Sequence, residues 1–168
     1  MRKKLEPKMD VVKYLYPKII YLIKKYTDYC DKNGDEENIE YKKLENELNK
    51  ITGKDISKYN LWEYWEEEGI EPLSFKIALP EPNIVSDINK EELTEIIKML
   101  KEGIFEKNEQ EDKFTQEFKY YLEEYYHKLL DYNCKNYESE LFDSQKGKDG
   151  KYFEYTVEEI VEKIYEKK

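Results

Sequence analysis

The sequence predicts a mainly α-helical fold of five or six helices with at most a small two- or three-stranded sheet. Three observations predict it. Apolar residues recur at spacings of three and four over most of the chain, cap and stop residues flank those stretches, and only two short segments show strand-like patterning. With 168 residues the chain has the size of one domain, and a single helical domain over 1–168 is expected.

From Asp10 to Asp31, Val12, Leu15, Ile19, Leu22, Ile23, Tyr26 and Cys30 fall on one helical face. Pro17 inside that stretch predicts either a kink or a break with a second helix beginning there. Asn33-Gly34 is a stop. A second helix is predicted over Glu36 to Thr52, carrying Ile39, Leu44, Leu48 and Ile51, with Gly53 just past its end. Ser57 is placed to cap a short third helix through Trp65, ending before Gly69. Leu73, Phe75, Ile77 and Leu79 then alternate with smaller or polar residues, the period of a half-buried strand, closed by Pro80 and Pro82. Two further helices are predicted, Glu91 to Glu102 and Asp112 to about Asn136, the second faced by Phe114, Phe118, Tyr121, Leu122, Tyr125, Leu129 and Tyr132. Lys151 to Tyr155, after Asp149-Gly150, is the other strand candidate. Thr156 and Glu159 form a capping box for a last helix through Tyr165.

Charge narrows the partners. The chain has 29 Lys and Arg against 39 Asp and Glu, a net of −10. Residues 1–34 carry nine bases and four acids, so the excess of carboxylate lies beyond them. An acidic field repels phosphate, so no nucleic-acid partner is expected. A basic protein is the partner it would steer in, although excess carboxylate also serves simply to keep a small domain in solution. No apolar run approaches the ~20 residues of a bilayer span, and Glu6, Pro7 and Asp10 interrupt the basic N-terminus before a secretory core could form. A soluble cytoplasmic protein with no membrane partner is expected.

Catalytic, cofactor and metal motifs are incomplete. Cys30 and Cys134 show no ligand spacing. Asp31, Asn33 and Asp35 match three positions of a calcium loop, but Glu36 stands where that loop turns on glycine and Lys42 where it needs a bidentate carboxylate. His127 is the sole histidine, which excludes two-histidine zinc and iron sites, and its surroundings lack a nucleophile elbow. Gly147 and Gly150 lack phosphate-loop spacing. Carboxylate pairs could be drawn almost anywhere among 39 acids, so their density marks none of them. No enzyme, catalytic residue, metal or cofactor is expected.

The most informative stretch runs from Tyr59 to Gly69. It holds both tryptophans, two tyrosines, four glutamates and no base. On a helix Leu61 and Trp65 share a face, which leaves Trp62 or Tyr64 outside beside Glu63, Glu66, Glu67 and Glu68. Exposed rings among carboxylates suit Lys or Arg of a partner, through cation-π contact and charge-assisted hydrogen bonds. The competing reading fills the core with both tryptophans and leaves the glutamates as a solvated edge. A similar mixture lies off the apolar face of the long helix, at Glu117, Tyr120, Glu123, Glu124 and Tyr126.

The segments LWEYWEEEGIEPLSFKIALPEP at Leu61–Pro82 and LFDSQKGKDGKYFEYTVEEIVEKIY at Leu141–Tyr165 resemble bacterial polymorphic-toxin immunity proteins of the contact-dependent inhibition type. The resemblance implies a cytoplasmic inhibitor that acts by binding, as a monomer, one cognate toxin domain, often a nuclease with a basic cleft. The partner-binding candidates are Tyr59, Trp62, Glu63, Tyr64, Glu66, Glu67, Glu68, Glu117, Tyr120, Glu123 and Glu124. The alternatives are a helical structural or adaptor protein that self-associates and a carboxylate-dependent hydrolase.

Overall fold

The computed structural model describes residues 1–103 and 112–165, with Trp65 and Glu67 described by their backbones alone. Among these residues, six α-helices of at least eight residues and one two-stranded antiparallel sheet make a mainly helical fold. The chain forms two compact units, one of Lys8–Pro80 and one joining Met1–Pro7 to Glu81–Lys168.

In the first unit, α1 (Met9–Asn33) packs on α2 (Ile39–Thr52) and on α4 (Ile70–Ala78). Helix α1 buries Val12, Leu15, Ile19, Ile23, Tyr26 and Cys30 on one face and runs through Pro17 without a break. Gly34 ends it at φ 69°, a left-handed conformation that costs glycine little, and its N–H donates to the Cys30 carbonyl at 2.8 Å. Helix α2 begins later than the sequence suggests because Asp35 organises its start from outside the first turn. The Asp35 carboxylate accepts from the backbone N–H groups of Ile39, Glu40 and Tyr41 at 2.9, 3.2 and 2.9 Å.

Two expectations in this unit are corrected. Ser57 does not cap a helix through Trp65: its hydroxyl is turned to the Asp55 carboxylate at 2.7 Å. Asn60 instead forms a turn ahead of the helix, accepting from the N–H groups of Trp62 and Glu63, and only Tyr64–Glu67 (α3) is helical, with no side-chain cap at Glu63. The segment Leu73–Leu79 is not a strand but lies in α4. Ile70, Leu73, Ser74, Phe75, Ile77 and Ala78 are all buried, so the element is apolar nearly all round, and its alternation carries no information about period. Pro72 in the first turn favours a helix start.

Lys54 closes the other end of α4. Its ammonium donates to the carbonyls of Lys76, Ile77 and Leu79 at 2.8, 3.2 and 2.8 Å, satisfying acceptors that a helix end leaves orphaned. Lys54→Met keeps the stem and removes the donor. It is expected to cost about 1–2 kcal/mol, read as a lower urea midpoint, and an unchanged midpoint would remove this account of the α4 terminus.

In the second unit, α5 (Lys90–Glu102) starts with a reciprocal capping box. The Glu92 N–H donates to Asn89 Oδ1 at 2.9 Å and the Asn89 N–H to Glu92 Oε2 at 3.1 Å. The long helix expected from Asp112 to about Asn136 is divided into α6 (Lys113–Phe118), a 3₁₀ turn at Lys119–Tyr121 and α7 (Leu122–Asn133). The tighter turn re-aims the residues that follow, so Tyr126, expected off the apolar face, is buried with Leu122, Tyr125, Leu129 and Leu130, while Tyr132 is exposed. Asn133 ends α7 and donates to the Asn83 carbonyl at 2.9 Å while accepting from the Val85 N–H.

Helix α8 (Val157–Ile164) packs on α5 and carries the expected Thr156 and Glu159 box, at 3.2 and 2.8 Å. The sheet pairs β1 (Gln145–Lys146) with β2 (Tyr152–Phe153), so the strand expected at Lys151 to Tyr155 is present in part and its partner is the adjacent segment. Among the described residues no helix is long and apolar enough to cross a membrane.

Candidate partner-binding site

Trp62 is 37% exposed, the remainder of its ring being packed within the Lys8–Pro80 unit. Because Asn60 turns the chain ahead of α3, Leu61 points inward, fully buried, while Trp62 points to the surface. The indole meets the edge of the buried Tyr26 ring at 5.8 Å, and Tyr26 meets Tyr41 edge-on at 5.7 Å. These are favourable quadrupole geometries that hold the three rings as one rigid platform. The Tyr41 hydroxyl donates to the Tyr59 carbonyl and accepts from the Leu61 N–H, both at 3.4 Å, tying α2 to the segment that presents Trp62.

This platform lines a groove of 820 Å³, whose rim carries Asp35, Glu36 and Glu45 against Lys42. Desolvation works against the Asp35 charge, but the backbone N–H groups of Tyr41, Glu40 and Ile39, aided by the Tyr26 hydroxyl, outweigh it and hold its carboxyl below the ordinary value. Desolvation raises the Tyr26 hydroxyl well above its ordinary value, with the Cys30 thiol and the Asp35 charge acting in the same direction, so Tyr26 stays a neutral phenol. An aromatic wall under a rim of three carboxylates and one ammonium is suited to take an aliphatic stem that ends in a cation.

Among the described residues, Trp62 alone of the partner-binding candidates lines this groove. Glu63 and Glu66 are exposed, and the Glu67 side chain lies outside the described residues. Tyr64 is half-buried, its hydroxyl 3.4 Å from Thr27 Oγ1. Lysines of the same unit meet Glu68 and Tyr59. Glu68 is ion-paired with Lys76 at 2.5 Å, and the Tyr59 ring lies 5.5 Å from the Lys54 ammonium and 5.4 Å from that of Lys58.

Tyr26, Tyr41, Glu36 and Glu45 were not singled out. Tyr26 sits at core spacing on α1, and only the pairing of α1 with α2 and the 59–62 segment brings it beneath Trp62. The composition around Trp62 was the one signal in sequence.

Glu117, Tyr120, Glu123 and Glu124 belong to the second unit. Tyr120 is 63% exposed, Glu124 pairs with Lys128 at 3.0 Å, and Glu123 lies 3.7 Å from His127 Nε2. His127 itself fastens the following segment to α7: Nδ1 bonds the Tyr137 hydroxyl at 2.7 Å and the ring meets Phe142 edge-on at 4.9 Å. Burial lowers the imidazole from its ordinary value, and the charges of Glu123 and Asp143 offset this only in part. These residues line a cavity of 400 Å³ together with Lys101, Ser139 and Glu154. Among the described residues no three His, Cys, Asp or Glu side chains cluster as metal ligands do.

No family model matches the chain, and neither a curated protein nor a solved structure matches it.

Proposed function

We propose that this protein is a cytoplasmic inhibitor of the immunity type, which binds one cognate toxin domain of basic character, a nuclease being the expected kind, and blocks it through the acidic, aromatic groove at Trp62. The observation that carries the reading is the Trp62 platform: a partly exposed indole fixed on Tyr26 and Tyr41, lining a groove with Glu36 and Glu45 on its rim. A rigid aromatic anchor costs little ordering entropy on binding, and a rim of opposite charge accelerates encounter. Glu63 and Glu66, exposed on the segment that carries Trp62, add to the negative charge of this unit. Such a protein acts by occupancy and needs no catalytic group.

The test is co-expression with the toxin domain encoded beside its gene. The parent should restore growth of cells that make the domain, and a variant carrying Glu36→Lys and Glu45→Lys should not. Full protection by that variant at equal abundance would sink the reading.

A further inference from the structure

We propose that the outward face of α1 pairs antiparallel with α1 of a second copy of this chain. That face carries a stripe of side chains separate from the Trp62 groove. Tyr14, Lys18, Tyr21, Lys25, Tyr29 and Lys32 follow one another at steps of four, three, four, four and three residues, which places all six on one side of the helix, turned away from the buried Val12, Ile19 and Ile23. The tyrosines are 64%, 65% and 42% exposed, and the three lysines are exposed as well. The stripe is ~27 Å long at 1.5 Å per residue.

Its repeat identifies the occupant. Lys18, Lys25 and Lys32 recur every seven residues, and so do Tyr14, Tyr21 and Asp28, giving a two-position seam of the coiled-coil kind. A parallel copy would place like against like and bring three pairs of ammonium groups together. An antiparallel copy sets the two positions against each other: Lys18 faces the partner's Asp28, Lys25 faces the partner's Tyr21, and Lys32 faces the partner's Tyr14. Each contact occurs twice about the two-fold axis, so every lysine meets a carboxylate or an aromatic ring. The chain already makes this contact within itself, where the Lys18 ammonium lies 3.6 Å over the Tyr14 ring.

A polyanion suits the face less well. Asp28 interrupts the stripe, and the 660 Å³ groove that runs beside it between α1 and α2 mixes Glu40 and Glu47 with Lys24 and Lys43, so no continuous basic track forms. One helix pair buries less than the ~1,600 Å² of a standard interface, so the dimer is weak and its formation falls with salt. Tyr26 and Cys30, which border the Trp62 groove, lie on the buried face of α1, so pairing leaves that groove open.

Sedimentation equilibrium of the full chain tests the proposal, with circular dichroism to check that each variant is folded. The parent should dimerise with concentration. Lys18→Asp and Asp28→Lys should each weaken the dimer by ~10-fold or more, since each puts like charges together twice, and the two combined should return it to within ~3-fold of the parent. Trp62→Ala should leave the dimer unchanged, so failure here and failure of the partner-binding reading are separable. A parent that stays monomeric over a roughly hundredfold concentration range, single variants without effect, or a double variant as weak as the singles would each overturn the proposal. So would a fluorescent single-stranded oligonucleotide that binds the parent, fails to bind Lys25→Glu, and prevents dimerisation.

Discussion

Trp62→Ala is expected to weaken binding of the cognate domain by about 30-fold or more, the ~2 kcal/mol that defines a binding hot spot. The expectation follows from where the ring sits. Its inner edge is fixed by Tyr26, so little conformational freedom is lost when the outer edge is covered. Three carboxylates against one ammonium line the same groove, and a partner cation drawn to them comes to lie over the ring. Because most of the indole packs against Tyr26, the substitution should also lower the urea midpoint, so affinity is compared under conditions where circular dichroism shows the variant folded. Trp62→Phe should recover part of the affinity, because a smaller ring keeps the edge contact with Tyr26. Reversing Glu36 and Glu45 should act differently, slowing association most at low salt, as rim charges do. Titration calorimetry and stopped-flow mixing separate the two effects. Equal affinity of Trp62→Ala and the parent would move the interface away from this groove.

Glu92→Ala is expected to cost the second unit about 1–3 kcal/mol. Glu92 is buried, and each of its oxygens is used. Arg2 grips it with Nε and with Nη2 at 2.8 Å, while a further bond from Nη1 reaches Asp87 at 2.8 Å. The same carboxylate closes the capping box with Asn89. Met1–Pro7 is thereby fastened to the start of α5, and the fully buried Leu5 follows it into the same unit. The bond from Arg2 lowers the Glu92 carboxyl below its ordinary 4.5, burial opposes this, and the Asn89 N–H adds to it. The carboxylate therefore contributes stability that is fully present above pH 4.5 and is lost as the pH falls through the lowered value of the folded state. Glu92→Gln should flatten that part of the acid unfolding curve. Arg2→Met should be more harmful than Glu92→Gln at neutral pH, because it strands a buried carboxylate. An acid limb identical in Glu92→Gln and the parent would refute this assignment.

The helical character and most helix positions were legible because their causes are local. Core spacing on α1, the Gly34 and Gly53 stops, and the Thr156 and Glu159 box depend on residues close in sequence. The errors arose where distant groups decide. Alternation over Leu73–Leu79 reads as a strand only if one face meets water, whereas the packed unit buries Ser74 along with Phe75. Helix α4 also draws on Lys54, far back in the chain, for its last carbonyls. Ser57 is held by Asp55 and the chain turns on Asn60 before α3 begins, a competition among short polar side chains that propensity alone does not rank. At the candidate site, the cluster of rings and glutamates was visible, but its sorting was not. Tyr59 and Glu68 are engaged by lysines of the same unit, and Tyr26 and Tyr41 enter from other helices.

Hydrogen–deuterium exchange of the protein alone and with its cognate toxin domain tests whether the Trp62 groove is the surface that binds. The proposal predicts that binding slows exchange in two separate stretches, around 35–45 and 59–64, which together frame the Trp62 groove. Unchanged exchange in both stretches, with protection confined to other parts of the chain, would contradict it.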